Sequence, residues 1–318
     1  MNIAVLFTIA VFVNWFTFRR VPPLDAIESM SAEAQKARVV GQKEAVMFTV
    51  LASCMLFTLY IFLDYVKDIA EAYIGFSTTF SLTLLVEQVL TILVLWKTGI
   101  KNREDHWATA CWMESYWFGR YSFNEACSIV ISFGIVTVWW FTRFWFLNNF
   151  IGICLAIVFL KIIQLKQMWP GILLLSLLFI YDIFWVFISP YVFKEGKSVM
   201  IAVAMAYDLP NKLVMPAILN SKANTSMLGL GDIVVPGLYL GLMNSFDIQQ
   251  QTSSYLNTAL VGYAISLIVC IGVLIVFDAG QPALLYIVPA LFAATYLNGK
   301  TRGELTLLRN FNANSKND

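Results

Sequence analysis

Apolar stretches of membrane-spanning length alternate with short polar segments along almost the whole chain. A helix needs about 20 predominantly apolar residues to cross the hydrocarbon of a bilayer. Nine segments approach or meet that length: 3–18, 45–66, 69–96, 126–142, 146–163, 170–193, 228–243, 255–277 and 282–298. Only Arg143 and the Asn148-Asn149 pair separate the fourth from the fifth. Pro289 interrupts the ninth, which a bundle tolerates because neighbouring helices can satisfy the freed carbonyl. The pattern predicts an all-α, polytopic membrane protein of nine transmembrane helices.

Composition agrees with that reading. The chain of 318 residues is 59% hydrophobic and 13% charged, with a mean hydropathy of +0.72. A soluble domain cannot hide that much apolar surface, so the lipid bilayer is the expected solvent. The net charge is +1 and no long basic run occurs, so no nucleic-acid partner is expected. Cys54, Cys111, Cys127, Cys154 and Cys270 lie mostly in apolar segments without CxxC spacing, and read as small buried hydrophobes.

Lysine and arginine set the orientation. With the N-terminus outside, fifteen of the 21 fall on the cytosolic side and six outside. Four of those six, Lys194, Lys197, Lys212 and Lys222, share the loop between the sixth and seventh segments. The N-terminus is therefore expected outside and the C-terminus in the cytosol. Arg19-Arg20 follow the first apolar segment and no charged side chain precedes it, the reverse of a secretory signal peptide.

Two acids break the apolar pattern. Asp182 sits inside Pro170–Phe193, and Asp232 opens the next segment as Gly229-Leu230-Gly231-Asp232. A carboxylate within the bilayer costs several kcal/mol, so each marks a functional-site hypothesis. Antiparallel neighbours would place them about 12 Å and 7 Å from the outer ends of their segments, close enough to meet. Gly229 and Gly231 permit close helix approach or local unwinding there. Two facing carboxylic acids cannot both ionise and share a proton. The ionised partner can then take a proton from water while the other polarises a peptide carbonyl. A transmembrane substrate would have to be unwound locally and offered strand-edge backbone partners.

Histidine narrows the chemistry further. His106 is the only one, which excludes HExxH zinc proteolysis, and no GxSxG accompanies a serine mechanism. No metal and no cofactor is expected. Other polar residues have simpler readings: Glu71 near an interface, Glu87 facing the bundle or water, and Asp278 in a hydrated loop. Tyr181, Phe184 and Trp185 read as packing residues, with Tyr181 able to hydrogen-bond a neighbour.

Tyr181-Asp182 in one segment, GLGD at Gly229–Asp232 in the next, and Gln281-Pro282-Ala283-Leu284 at the start of the last resemble the GxGD intramembrane aspartyl proteases. The wider wording, FIYDIFWVF at Phe179–Phe187, MLGLGDIVVPG at Met227–Gly237 and QPALLYIVPA at Gln281–Ala290, is similar to signal peptide peptidases rather than presenilins. The match is strong over about 150–298 and looser before residue 125, for example in Leu51–Phe62. The resemblance implies a presenilin-like bundle with Asp182 and Asp232 as the catalytic pair. It implies that Tyr181, Gly229, Leu230 and Gly231 support the active site, and that Gln281, Pro282, Ala283 and Leu284 shape it and the substrate backbone. It further implies cleavage of type II transmembrane segments, notably signal-peptide remnants, in the endoplasmic-reticulum membrane with a luminal N-terminus. The short 193–227 loop and the charge asymmetry favour the peptidase branch over presenilin.

Some features depart from that branch. The chain ends Ser315-Lys316-Asn317-Asp318 without a lysine retrieval signal, leaving a Golgi relative open. No long luminal N-terminal domain is expected, which argues against the larger peptidase-like relatives of endosomes and lysosomes. The one sequon, Asn224-Thr225-Ser226, lies too near a segment for glycosylation to be expected. Three parts are expected: helices 1–3 with their loops over 1–125, a catalytic membrane core over 126–298, and a cytosolic tail over 299–318. Two other functions stay open, a proton- or cation-coupled transporter using both acids and a silent scaffold that binds membrane segments. Whether copies of the chain associate as a homo-oligomer also stays open.

Overall fold

The computed structural model describes residues 2–21, 39–98, 112–115, 119–193, 198–206, 210–215, 226–277 and 281–313. His106, Cys111, Asp278, Lys194, Lys197, Lys222, the sequon's Asn224 and Thr225, and the chain end from 314 lie outside the described residues. Long helices occupy the expected segments: α1 (Asn2–Arg19), α2 (Gln42–Ile61), α3 (Leu63–Thr98), α4 (Phe123–Thr142), α5 (Trp145–Ile162), α6 (Met168–Ile183), α7 (Gly231–Gln250), α8 (Ser254–Phe277) and α9 (Leu284–Arg302). Among the described residues six helices are long and apolar enough to cross a membrane: α2, α3, α4, α5, α8, and α6 with its continuation to Val192. The other three expected segments fall on α1, α7 and α9. These carry polar residues at buried positions, Asn14, Asp247 and Thr295 among them. A helix surrounded by other helices can carry such groups if they are paired inside the bundle.

The main core joins α1 with α5, α6, α7, α8 and α9. Its centre is α7, where Ile233, Tyr239, Leu240, Leu242, Met243 and Phe246 have no exposed surface. Although α1 precedes residue 125, it packs with α7 and α8 inside this core. By contrast, α2 leans on α6 and turns Val46, Met47, Val50, Leu51 and Met55 outward. That face costs nothing in lipid and would be costly in water. The α3–α4 pair forms the remaining edge, with α3 also touching α5. Close packing needs a missing side chain at Gly262, where a Cβ would lie 2.8 Å from the Ala294 Cβ and 3.2 Å from the Ala290 carbonyl. This lets α8 and α9 approach at backbone distance.

Polar groups are handled by local pairing. The break between α4 and α5 falls at Arg143, whose φ is 48°. Its guanidinium donates to Glu71 of α3 at 2.7 Å and lies 4.9 Å from the ring centroids of Trp139 and Trp140. Glu87 is buried in α3. Of the described cysteines, Cys154 and Cys270 are buried and Cys127 is half-buried, whereas Cys54 faces outward; all four are free thiols.

Asp247, at the end of α7, organises the turn into α8. Its Oδ1 accepts the Thr252 hydroxyl at 2.7 Å and the Tyr255 N–H at 3.1 Å, and its Oδ2 accepts the Leu256 N–H at 2.8 Å. The first amides of a helix lack intrahelical partners, so this carboxylate caps α8. Asp247→Ala strands those amides and is expected to destabilise the fold by about 2 kcal/mol. Thermal unfolding in detergent tests this: Asp247→Ala should melt below wild type and Asp247→Asn between the two.

Candidate active site

Asp182 is the penultimate residue of α6 and is 3% exposed. Directly after α6 the helix widens into a π-helical turn, Phe184–Ile188, before a last α turn at Ser189–Val192. Such widened turns occur often at functional sites. The Trp185 carbonyl in that turn accepts the hydroxyls of Ser189 at 2.6 Å and Ser198 at 3.0 Å. The Trp185 ring stacks on Phe193, with centroids 6.2 Å apart and planes at 3°. Tyr181 packs into the same cluster, its ring centroid 6.4 Å from that of Trp185, and Leu56, Leu59 and Tyr60 of α2 pack against the cluster as well. This cluster packs around the C-terminal end of α6 and the turn that follows Asp182.

The Asp182 carboxylate is met from α9. Oδ2 accepts the Leu284 N–H at 3.1 Å, across 102 residues of sequence. Leu284 is the first residue of α9, and its amide has no partner within its own helix. Pro282-Ala283-Leu284 therefore forms a helix start whose free amide points at a carboxylate. Ala283 and Leu284 are 8% and 6% exposed, and the Pro282 and Ala283 carbonyls accept N–H groups of the first turn. Gln281 turns to the side, its Oε1 accepting the Tyr286 hydroxyl at 2.7 Å.

Asp232 lies in the first turn of α7. The residues before it are extended, so the seventh segment starts as a strand and becomes helical only at Gly231. Strand β3 (Lys212–Met215) pairs antiparallel with β4 (Ser226–Gly229), in the register Lys212↔Gly229, Leu213↔Leu228, Val214↔Met227 and Met215↔Ser226. A separate hairpin, β1 (Trp112–Ser115) with β2 (Gly119–Ser122), precedes α4. The Leu230 N–H continues the pairing to the Asn211 carbonyl at 3.0 Å. Gly229 sits beside the acid, where a Cβ would be 3.6 Å from Asp232 Oδ2. Gly231 borders open space, with no atom within 4 Å of where its Cβ would be. Helices α6, α7 and α9 touch one another, and Asp182 and Asp232 lie within electrostatic range of each other. Cys270 of α8 is within range of both.

The outer edge of β3 is closed by two side chains of α5. Asn149 Nδ2 donates to the Val214 carbonyl and the Val214 N–H donates to Asn149 Oδ1, both at 2.7 Å. Asn148 Nδ2 donates to the Lys212 carbonyl at 2.9 Å. The Asn149 amide thus pairs with Val214 as another strand would. Because antiparallel pairs alternate, Leu213–Leu228 carries ladder bonds, and Met227 and Gly229 turn their peptide groups to the opposite edge. That edge of β4 leads straight to Asp232. Neither strand nor clamp is evident from the sequence, since four-residue strands carry almost no periodic signal; Asn148-Asn149 registers only as a polar break. Tyr263 of α8 also escapes the pattern, and its hydroxyl donates to the Asp232 main-chain carbonyl at 2.9 Å.

Comparison with known proteins follows the same residues. The signal peptide peptidase family model matches residues 32–315. Human signal peptide peptidase is 30% identical over 295 residues, covering 88% of this chain and 75% of that protein. Signal peptide peptidase-like 3 of rice is 39% identical over 173 residues, covering 52% of this chain and 33% of its own. A solved presenilin family intramembrane aspartate protease superposes with a TM-score of 0.58 at 15% identity, covering 95% of this chain and 100% of that one, which shows a shared fold. Taken with the match across both acidic segments, the chain belongs to the signal peptide peptidase family of intramembrane aspartic proteases.

Proposed function

We propose that Asp182 and Asp232 are the catalytic pair of this intramembrane aspartic endopeptidase, cutting transmembrane segments of type II orientation, signal-peptide remnants among them. The observation that carries this reading is the convergence of α6, α7 and α9: a buried Asp182 held by the Leu284 N–H, with Asp232 in its electrostatic range. One carboxylate, ionised, takes a proton from water as the water oxygen bonds to the peptide carbon. The other, protonated, gives its proton to the carbonyl oxygen. Proton return to the amide nitrogen then breaks the C–N bond, leaving a carboxylic acid and an amine. No covalent enzyme intermediate is needed.

A peptide bond in a transmembrane helix is protected by its own hydrogen bonds. The outward-turned peptide groups of Met227 and Gly229 offer a strand edge beside Asp232, where an unwound substrate can pair. Gly229 keeps the space against the Asp232 carboxylate free of a side chain. Pro282, Ala283 and Leu284 close the site from α9, and Tyr181, Leu230 and Gly231 hold the backbones on either side of the acids. The charge asymmetry supports a luminal N-terminus and a cytosolic C-terminus, and the likeness to signal peptide peptidases supports residence in the endoplasmic-reticulum membrane.

Oriented vesicles test the substrate class. Protein reconstituted in one orientation is expected to cleave a transmembrane peptide presented as type II, with both fragments identified by mass spectrometry, and to leave its inverted counterpart largely intact. Equal cleavage of both would overturn the type II assignment. Proton-gradient-driven solute uptake that needs either acid, without cleavage, would overturn the reading of the pair.

A further inference from the structure

The main chain at Asp232 is held by a hydrogen bond that its own helix cannot make. In α7 the Asp232 carbonyl faces the position of the N–H of residue 236, one turn along. That residue is Pro236, inside the helix, with no N–H and a ring that crowds the carbonyl. The side chains around it are buried: Ile233 and Tyr263 have no exposed surface, and Pro236 is buried. An orphaned carbonyl there needs a donor from elsewhere in the protein. The Tyr263 hydroxyl of α8 supplies it at 2.9 Å. One residue along, the Ile233 carbonyl accepts Asn14 Nδ2 of α1 at 3.2 Å. The start of α7 is therefore fastened from two neighbouring helices where proline loosens it from within.

We propose that Tyr263 is a positioning residue for Asp232, its hydroxyl standing in for the amide that Pro236 removes. This rests on Asp232 being one of the catalytic pair. Tyr263 bonds to the main chain, so it acts on where the carboxylate points and moves no proton in the reaction. Without the hydroxyl, the first turn of α7 shifts to find another donor and carries the Asp232 carboxylate with it. A displacement of about 1 Å at a reacting group can cost a hundredfold in rate.

A double-substitution cycle tests this with a helical transmembrane peptide and purified full-length protein. Tyr263→Phe keeps the buried ring and removes one oxygen. It is expected to lower kcat by roughly ten- to hundredfold with KM within about twofold of wild type. Pro236→Ala restores an N–H one turn after Asp232, so in that background removal of the hydroxyl should change kcat by less than about twofold. The melting temperature read over the same four proteins follows the same logic and serves if the Pro236→Ala pair turns over too slowly. There the hydroxyl matters only beside proline. Equal effects of Tyr263→Phe in both backgrounds, or no effect in either, would overturn the proposal. Asp232→Asn is run in parallel: if it stays active, the assignment of the pair fails, whereas an inactive Asp232→Asn without coupling between 236 and 263 removes the Tyr263 proposal alone.

Discussion

Asparagine at either position 182 or position 232 is expected to abolish cleavage, lowering the rate by about a thousandfold or more. The substitution preserves shape and hydrogen-bonding capacity but can neither accept a proton from water nor give one to a carbonyl. Each proposed acid needs the other in the complementary state, so one loss stops both halves of the reaction. The effects should therefore not add: the double variant should be no slower than the slower single one. Binding should survive, because Asp→Asn changes neither the shape of the site nor any apolar surface that could hold a transmembrane helix. The measurement is cleavage of a helical type II peptide by purified protein in detergent, with binding followed by crosslinking. Cleavage that persists in either single variant would sink the pair.

The second large effect is expected from Leu284→Pro. Proline is well suited to the first position of a helix, where the amide has no partner within the helix. At position 284 that spare amide is the group that reaches Asp182. Proline therefore deletes the donor at the first helical position, where the missing amide breaks no hydrogen bond within α9. A hydrogen bond to a charged group contributes about 1.5–3 kcal/mol, so activity should fall by roughly ten- to a hundredfold or more. Two other changes accompany the substitution. A buried side chain is lost, and Ala283, which is helical at φ −65° and ψ −34°, now precedes a proline that disfavours that conformation. Leu284→Ala separates the first of these, since it trims the side chain and keeps the N–H. Activity of Leu284→Ala well above that of Leu284→Pro is the expected result. If the two variants are equally impaired, the amide has no role of its own at Asp182.

The residues most legible in the sequence are those that violate its dominant pattern. Asp182 and Asp232 stand out because lipid makes a carboxylate expensive, and Arg143 marks a real break because a charge cannot sit unpaired between two apolar runs. The contacts that hold the acids in place are not legible there, and the resemblance alone points to Leu284, as a residue that shapes the site. Leu284 acts through its backbone N–H, which every non-proline residue has, and only its location at a helix start directed at α6 makes it special. Tyr263 is one aromatic residue among many in an apolar segment until α8 is laid against Pro236. Asn149 is a polar interruption until its amide meets Val214, and the β3–β4 hairpin is too short for period-two alternation to register. A helix occupies the seventh segment from Gly231, but the residues before it are extended, because β4 gains a strand partner that no local propensity predicts.

By itself, then, the sequence determined the solvent of the protein, the helical segments and the two acids whose burial demands a purpose. Those follow from transfer free energies, which are properties of individual residues and their neighbours in the chain. The tertiary structure decided which groups meet the acids: the α9 amide at Asp182, the α8 hydroxyl behind Asp232 and the strand edge between α5 and α7. Each is a hydrogen bond between segments distant in sequence, and its existence depends on helix placement that no local pattern encodes.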